Sequence, residues 1–181
     1  MKKTVSTISS FQLSDHPYFK ARRDAYQFED GKIVDPYFLV ELPQSATAMA
    51  LTEDNSILLV EQYRHPIGEF IYELPGGFIE HDEAPENGIR RELLEETGYI
   101  FDEIVSLGKT AANPGVLNNF THLFLAKGGR RIQEQQLDQN EEISLRLFSI
   151  DEVKHMLMQS EIKQSMHALC LFYGFRKLGL L

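Results

Sequence analysis

Residues Gly77 to Tyr99 read Gly-Phe-Ile-Glu-His-Asp-Glu-Ala-Pro-Glu-Asn-Gly-Ile-Arg-Arg-Glu-Leu-Leu-Glu-Glu-Thr-Gly-Tyr. This segment contains the signals that begin and end a helix. Pro85 suits a first helical turn, because proline lacks the N–H that would be unpaired there. Gly98 stands where a helix that ends in a left-handed residue needs glycine. We therefore predict a helix from about Ala84 to Thr97.

Three glutamates crowd one side of this predicted helix. Glu92 and Glu96 are four positions apart, and Glu95 follows Glu92 by three, so their side chains are neighbours on the helix surface. Like charges at this spacing destabilise a helix by about 0.2–0.5 kcal/mol per pair. Mg²⁺ would relieve that repulsion, because it binds carboxylates, waters and substrate phosphates together. A solvated acidic face is the alternative, but the flanking Gly77 and Gly98 favour a metal site.

The spacing of the whole segment matches a known pattern. Seven residues occupy the fixed positions of G-x5-E-x7-R-E-U-x-E-E-x-G-U, where U is apolar: Gly77, Glu83, Arg91, Glu92, Glu95, Glu96 and Gly98. This pattern is the Nudix box, and the chain resembles the Nudix hydrolases, which cleave a diphosphate linked to a second group. Leu93 fills the first apolar position, and Tyr99 stands where the family usually carries an aliphatic residue. The resemblance implies an α/β fold, the Nudix α/β/α sandwich with a mixed sheet.

The resemblance also implies a set of metal ligands. Glu92 and Glu96 would bind metal through their carboxylates, and Gly76 through its backbone carbonyl. Glu95 would bind a metal or act as the base. Mg²⁺ is the expected metal, with Mn²⁺ as the alternative.

Further residues would support the reaction. Arg91 would hold Glu95 in place, and Glu83 would support the site. Related enzymes often bring another glutamate from a late loop, and Glu141 or Glu142 is positioned in sequence to do so. An exposed acidic turn is the alternative for that loop. The sequence leaves open whether Glu95, Glu141 or Glu142 is the base.

Composition limits the kinds of partner. The net charge of −9 argues against broad binding to nucleic acid or anionic membranes. The N-terminus lacks the apolar stretch of a signal peptide, and no run approaches the ~18 apolar residues of a membrane span. The single cysteine, Cys170, lies in an apolar run and is expected to be a buried small hydrophobe. We therefore expect a cytoplasmic protein that binds a small molecule, without nucleic-acid or membrane partners.

An N-terminal strand region precedes the rest of the chain. Residues from about Tyr18 to Phe28 and from Lys32 to Leu42 are strand-like, and Glu29-Asp30-Gly31 between them suits a hairpin turn. Asp35-Pro36 interrupts the second run, which is therefore an edge strand or is broken in two. We assign residues 1–43 to a small antiparallel strand region and residues 44–181 to the Nudix hydrolase domain.

The second region alternates strands with helices. Strands are predicted near Thr47–Thr52, Ser56–Arg64, Glu69–Leu74, Glu103–Thr110, Thr121–Ala126 and Ile143–Phe148. Two C-terminal helices are predicted, one from the capping signal at Ser149 through about Met158 and one over Glu161–Lys177.

Within the family, the chain resembles the ADP-ribose and nucleoside diphosphate-sugar pyrophosphatases. The residues that carry this likeness are Phe19-Lys-Ala-Arg-Arg-Asp, Glu61-Gln-Tyr-Arg64 and Glu73-Leu-Pro-Gly-Gly77. The likeness implies that Arg64 contacts substrate phosphate, which a guanidinium can bind at two points, with Glu73 in the same substrate-binding pattern. A strand-end surface charge is the alternative for Arg64. The likeness also implies a homodimer through the N-terminal region. The aromatic residues that stack on the base do not follow from the sequence, and Phe19 and Tyr26, reaching across the dimer, are the candidates.

The loop Asn113-Pro-Gly-Val-Leu-Asn-Asn119 bears on the substrate. Pro114 lies about where the ADP-ribose enzymes place a proline, but the acidic residue that usually follows Pro-Gly there is missing. This departure resembles the sugar-nucleotide hydrolases more closely. Asn118 and Asn119 are candidates for hydrogen bonds to sugar hydroxyls, and turn formation is the alternative for each.

These observations predict Mg²⁺-dependent hydrolysis of a small-molecule nucleotide sugar such as ADP-ribose or GDP-mannose. The products would be a nucleoside monophosphate and a sugar phosphate. The alternatives are a Nudix hydrolase of nucleoside triphosphates or RNA caps, and a non-catalytic sensor of nucleotide sugars.

Overall fold

The computed structural model describes residues 4–16, 19–137 and 142–181. The chain forms two compact units, one of Met1–Pro43 with Ala111–Phe120 and one of Gln44–Thr110 with Thr121–Leu181. The expected division into 1–43 and 44–181 differs from these units at Ala111–Phe120, which packs with the first unit.

The first unit is an antiparallel sheet with the strand order β1-β2-β3. Its strands are β1 (Val5–His16), β2 (Phe19–Phe28) and β3 (Ile33–Glu41). The predicted turn joins β2 to β3, and Gly31 adopts the left-handed φ of 87° that the turn requires. Strand β3 lies at the edge of the sheet, which was one of the two predicted alternatives. It continues through Asp35-Pro36 and is not broken in two. Strand β1 was not predicted.

The segment Ala111–Phe120 is tied to β3 by hydrogen bonds. The Val40 amide donates to the Val116 carbonyl at 2.8 Å, and the Tyr37 hydroxyl donates to the Gly115 carbonyl at 2.7 Å. These contacts explain why the segment belongs to the first unit although it follows the Nudix box in sequence.

The second unit contains a mixed sheet and three helices among the described residues. Its strands are β4 (Ser45–Thr52), β5 (Ile57–Arg64), β6 (Glu69–Glu73), β7 (Gly76–Phe78), β8 (Tyr99–Ile100), β9 (Glu103–Thr110), β10 (Thr121–Arg131) and β11 (Ile143–Phe148). Strands β4 and β10 pair in parallel, and the other described pairs of this sheet are antiparallel. The helices are α1 (Pro85–Thr97), α2 (Ile150–Met158) and α3 (Ser165–Lys177). The predicted mixed-sheet α/β fold is confirmed.

Strand β4 separates two hydrophobic cores because successive strand side chains point to opposite faces of a sheet. Its alanines at 46, 48 and 50 pack with Ile89 and Leu93 of α1. The intervening Met49 and Leu51 pack with residues of α2 and α3 such as Phe175. Helices therefore cover both faces of the sheet, and α1 lies against the face that carries the smaller side chains.

The ends of the helices follow local signals. Gly98 ends α1 with a φ of 74°, and its amide donates to the Leu94 carbonyl. A capping box between Ser149 and Glu152 begins α2. Helix α3 begins at Ser165 and not at Glu161, because the Gln164 side chain accepts from the Met166 amide and forms the N-cap. No helix in the described part of the chain is long and apolar enough to span a bilayer.

Candidate active site

Arg91 lies at the centre of the acidic cluster on α1. Its Nη1 donates to Glu92 Oε1 at 2.9 Å and to Glu95 Oε2 at 3.0 Å. Its Nε and Nη2 donate to the two oxygens of Glu83 at 3.2 and 3.1 Å. Nη2 also donates to the Phe78 carbonyl at 3.0 Å. One guanidinium therefore orients three carboxylates and joins the helix to the segment that precedes it.

The pairing with Glu83 is the most constrained of these contacts. Hydrogen bonds from Arg91 and from the Glu80 amide lower the pKa of the Glu83 carboxyl. The hydrogen bond to Glu83 in turn raises the pKa of Arg91 above its ordinary value. Both groups are therefore held in their charged forms at neutral pH, which suits a supporting role better than proton transfer.

Two glycines allow close packing on both sides of strand β7, Gly77 against the acidic helix and Gly76 against strand β4. A Cβ on Gly77 would lie 2.6 Å from Cδ of Glu92 and 2.7 Å from each of its oxygens. A Cβ on Gly76 would lie 2.2 Å from the Ala46 carbonyl oxygen, and the φ of Gly76 is 148°. The Gly76 amide donates to Glu96 Oε2 at 2.8 Å. The Gly-Gly pair thus brings a backbone segment against two of the three predicted ligand carboxylates.

The donor set fits a hard divalent cation in its chemistry. Glu92, Glu95 and Glu96 offer only carboxylate oxygens, and Gly76 offers a backbone carbonyl, which are the ligands that Mg²⁺ prefers. Among the described residues, however, no three His, Cys, Asp or Glu side chains are gathered into a ready-made metal site. Arg91 occupies one oxygen each of Glu92 and Glu95. Glu95 is the most exposed of the three carboxylates that Arg91 contacts, with 40% of its side-chain surface accessible.

A second ion pair joins the two strands of the β5–β6 hairpin, from Arg64 at the end of β5 to Glu73 at the end of β6. Arg64 donates through Nε to Glu73 Oε2 at 2.8 Å, and its Nη2 lies 2.7 Å from the same oxygen. The Arg64 side chain is 47% exposed, whereas that of Glu73 is only 3% exposed. The buried carboxylate therefore directs a guanidinium whose remaining surface faces solvent.

His167 of α3 lies beside Glu73 and was not predicted as a site residue. Its Nδ1 accepts a hydrogen bond from the Leu74 amide at 3.1 Å and lies 4.0 Å from Glu73 Oε1. Burial, and then the charge of Arg64, lower the pKa of His167 to about 3. The ring is therefore neutral, and the 4.0 Å approach to Glu73 is not an ion pair.

The candidates from the loop between β9 and β10 lie in the first unit, where the two asparagines contact the residues that follow β3. The Asn118 Oδ1 accepts from the Leu42 amide at 3.0 Å, and the Asn119 Nδ2 donates to the Pro43 carbonyl at 2.9 Å. Pro114 occupies the turn that precedes them. Both side chains bind backbone groups 76 positions earlier in the chain, so these contacts are not those of a local turn. The expected contact of Asn118 and Asn119 with sugar hydroxyls stays a prediction.

The aromatic candidates also lie in the first unit. Phe19 begins β2 and is 53% exposed. Tyr26 packs edge-to-face with Phe28 and Tyr37, at centroid distances of 5.5 and 5.6 Å. Tyr26 is therefore part of an aromatic cluster within this unit.

The candidates from the late acidic loop differ in what the structure describes. Glu141 lies outside the described residues. Glu142 is exposed just before β11, and it makes no described contact with the glutamates of α1. The described part of the preceding segment does reach α1, because Gln135 Nε2 donates to the Glu96 carbonyl at 2.6 Å and the Gln136 amide donates to the Glu95 carbonyl at 2.8 Å. This segment therefore caps the last turn of the acidic helix, a role that the sequence did not indicate.

The fold and this site together define a class of protein. A family model, the NUDIX domain, matches residues 42–169, and the chain belongs to the Nudix family. The prediction of a Nudix hydrolase, and of an enzyme, is confirmed.

Similar proteins cover nearly the whole chain. The methanol dehydrogenase activator of Bacillus methanolicus is 30% identical over 168 residues, which are 92% of this chain and 90% of that protein. The ADP-ribose pyrophosphatase of Bacillus subtilis (strain 168) is 26% identical over 162 residues, 81% of this chain and 88% of that protein. The GDP-mannose pyrophosphatase of Cronobacter sakazakii is 29% identical over 184 residues, 94% and 95% of the two chains. The predicted likeness to this branch is confirmed.

A solved structure described as an ADP compounds hydrolase has the same fold. It superposes with a TM-score of 0.82 and 16% sequence identity, covering 100% of this chain and 98% of that one. At this identity the match shows the fold alone.

Proposed function

We propose that this Nudix hydrolase cleaves the diphosphate of nucleoside diphosphate sugars with the help of Mg²⁺. The observation that carries the proposal is the set of hydrogen bonds from Arg91 to Glu83, Glu92 and Glu95, which orients a group of oxygen donors beside Gly76 and Gly77. Relatives that are named for ADP-ribose and GDP-mannose as substrates support the choice of a nucleotide sugar.

Each residue of the site has a distinct part in this proposal. Glu92, Glu96 and the Gly76 carbonyl would hold Mg²⁺, which when bound would lower the pKa of a coordinated water and neutralise charge on the phosphoryl group. Arg91 cannot exchange protons at neutral pH, so its work is to keep the carboxylates in place. Glu83 anchors Arg91 from the other side.

The proton of the attacking water needs a base. Glu95 is the best candidate among the described residues, because its carboxylate is partly exposed and is oriented by a single hydrogen bond from Arg91. The water oxygen forms a bond to one phosphorus while the bond from that phosphorus to the bridging oxygen breaks. The products are a nucleoside monophosphate and a sugar phosphate.

Arg64 supplies a positive charge for the diphosphate. Its contacts with Glu73 use Nε and Nη2, and half of the side chain faces solvent. A guanidinium can bind phosphate oxygens at two points. We assign to Arg64 the binding of the substrate's diphosphate and to Glu73 the orientation of Arg64.

The N-terminal unit is proposed to mediate a homodimer. Seven of its large apolar side chains are between 46 and 66% exposed: Val5, Ile8, Phe11, Leu13, Phe19, Ile33 and Phe38. Three strands with so much exposed apolar surface need a partner surface, and a second copy related by a two-fold axis is the commonest arrangement.

The decisive test is a comparison of kcat/KM for ADP-ribose, GDP-mannose, NADH and a nucleoside triphosphate at one Mg²⁺ concentration. We expect ADP-ribose and GDP-mannose to be turned over at comparable efficiency and the triphosphate to be poor. A matched Arg91→Ala protein controls for contaminating hydrolases. If kcat/KM is highest for the triphosphate, the nucleotide-sugar assignment is wrong. If all four compounds bind without turnover, the chain is a sensor.

A further inference from the structure

The segment between β6 and β7 carries residues of both parts of the site. Glu73 ends β6 and orients Arg64, while Gly76 begins β7 and contacts Glu96. Only Leu74 and Pro75 separate them. These two residues therefore connect the backbone that carries Glu73 to the backbone that contacts the acidic helix.

Side chains and backbone from three elements hold this short segment. The Pro75 carbonyl accepts from the Ala48 amide and from the Thr47 hydroxyl of β4, each at 3.2 Å. The Gly76 amide donates to Glu96 of α1. The Leu74 amide donates to His167 of α3 at 3.1 Å. His167 is thus the anchor that comes from the opposite face of the sheet.

The state of the His167 ring suits this task. Because Nδ1 accepts the Leu74 N–H, the proton of the neutral ring is on Nε2. The side chain is 12% exposed, and the low pKa that follows from its burial keeps Nδ1 available as an acceptor. The ring also lies against Glu73, whose side chain is 3% exposed.

We propose that His167 is a positioning residue for this hydrolase, which fixes the Leu74 amide and thereby holds Glu73 in the position that orients Arg64. This inference rests on the function proposed above. It places one determinant of phosphate binding on the C-terminal helix, 93 positions from the backbone group that it contacts and outside the Nudix box.

A pair of substitutions at position 167 separates the hydrogen bond from the bulk of the ring. In His167→Asn the amide oxygen is two bonds from Cβ, as Nδ1 is, so it can accept the Leu74 N–H. In His167→Leu no acceptor is left. We expect KM for ADP-ribose to rise about tenfold in His167→Leu, the ratio that loss of one net hydrogen bond gives, with a smaller change in kcat. We expect His167→Asn to stay within about threefold of wild type.

Loss of stability needs its own control. Phe175 is fully buried on the same helix, and it has no described hydrogen bond to the 73–76 segment. Phe175→Leu should lower the melting temperature and leave KM unchanged. Equal KM values in His167→Leu and wild type would overturn the inference, as would an equal loss in His167→Asn and His167→Leu.

A second measurement does not depend on turnover. Hydrogen exchange of the Leu74 amide should be about tenfold faster in His167→Leu than in wild type, and close to wild type in His167→Asn. Wild-type protein that hydrolyses none of the diphosphates would overturn the proposed function alone. Unchanged exchange at Leu74 would overturn the role of His167 whatever the activity.

Discussion

Replacing Gly77 by alanine tests the geometry of the acidic helix without removing any charge. The added Cβ would lie 2.6 Å from Cδ of Glu92 and 2.7 Å from each carboxylate oxygen. Atoms in ordinary contact are about 3.5–4.0 Å apart, so the carboxylate must retreat by about 1 Å. Gly77 itself is left in an ordinary backbone conformation, because its φ lies outside the left-handed range.

Displacement of the Glu92 carboxylate should reduce kcat much more than it reduces thermal stability. It strains the 2.9 Å hydrogen bond from Arg91 Nη1, and a displacement of about 1 Å in an active site lowers rates by about 100-fold. The Glu92 carboxylate is the far end of a flexible side chain, so the backbone of α1 need not move. We expect kcat for ADP-ribose to fall about 100-fold with a fall of only a few degrees in the melting temperature.

The test measures kcat by steady-state kinetics and the melting temperature by thermal unfolding, for wild type and for Gly77→Ala. Gly31→Ala is the matched control, because Gly31 has a φ of 87° and open space around it. That variant is strained and less stable, but its added Cβ meets nothing within 4 Å, so its kcat should equal that of wild type. Wild-type kcat in Gly77→Ala would refute the close approach of Gly77 and Glu92 as a requirement for activity.

Four further predictions concern metal, charge, pH and assembly. Millimolar Mg²⁺ should raise the melting temperature above that in chelator, because a ligand that binds only the folded state stabilises it; an unchanged melting temperature would argue against the metal site. Glu96→Gln should lower kcat about 100-fold with little change in stability, since the amide oxygen can still accept the Gly76 N–H; full activity at saturating Mg²⁺ would exclude Glu96 as a ligand. Arg91 lowers the pKa of Glu83 in the folded state, so the ionised Glu83 stabilises the fold fully above the pKa that Glu83 has in the unfolded chain, and this stabilisation is lost as the pH falls through the lower folded pKa. Denaturant titrations from about pH 5 to pH 2 should therefore show a larger fall in the free energy of unfolding for wild type than for Glu83→Gln. Equal falls in the two proteins would contradict this. Light scattering should give a dimer for the full chain and a monomer or aggregate after deletion of residues 1–43, and a monomeric full chain would refute the dimer.

Helix α1 is predictable from sequence because its boundaries depend on local chemistry. Pro85 and Gly98 act within one turn of the helix, and the structure has α1 at Pro85–Thr97. Strand β1 lacked such a signal. Its pairing with β2 shifts register between Thr7 and Ser9 and again between Gln12 and Ser14, so its apolar residues do not alternate with period two.

The contacts of the candidate site also differ in whether local sequence spacing predicts them. The contact of Arg91 with Glu95 follows from helix spacing, because residues at i and i+4 are neighbours on a helix surface. The contact of Arg91 with Glu92 does not follow from it, because adjacent residues do not face each other on a helix. The contact of His167 with Leu74 joins residues 93 positions apart. A lone histidine in a C-terminal helix carries no sign of such a partner, because only the tertiary fold brings α3 to the end of β6.

The small side chains of β4 set how near the acidic helix lies to the sheet. Ala46, Ala48 and Ala50 are at most 2% exposed, and they pack in the same core as Ile89 and Leu93 of α1. A larger residue at any of the three would push the helix away from β4, and with it the glutamates that lie against β7. Substitutions that retune the enzyme's activity can therefore arise inside the core, at three methyl groups that carry neither charge nor hydrogen bond.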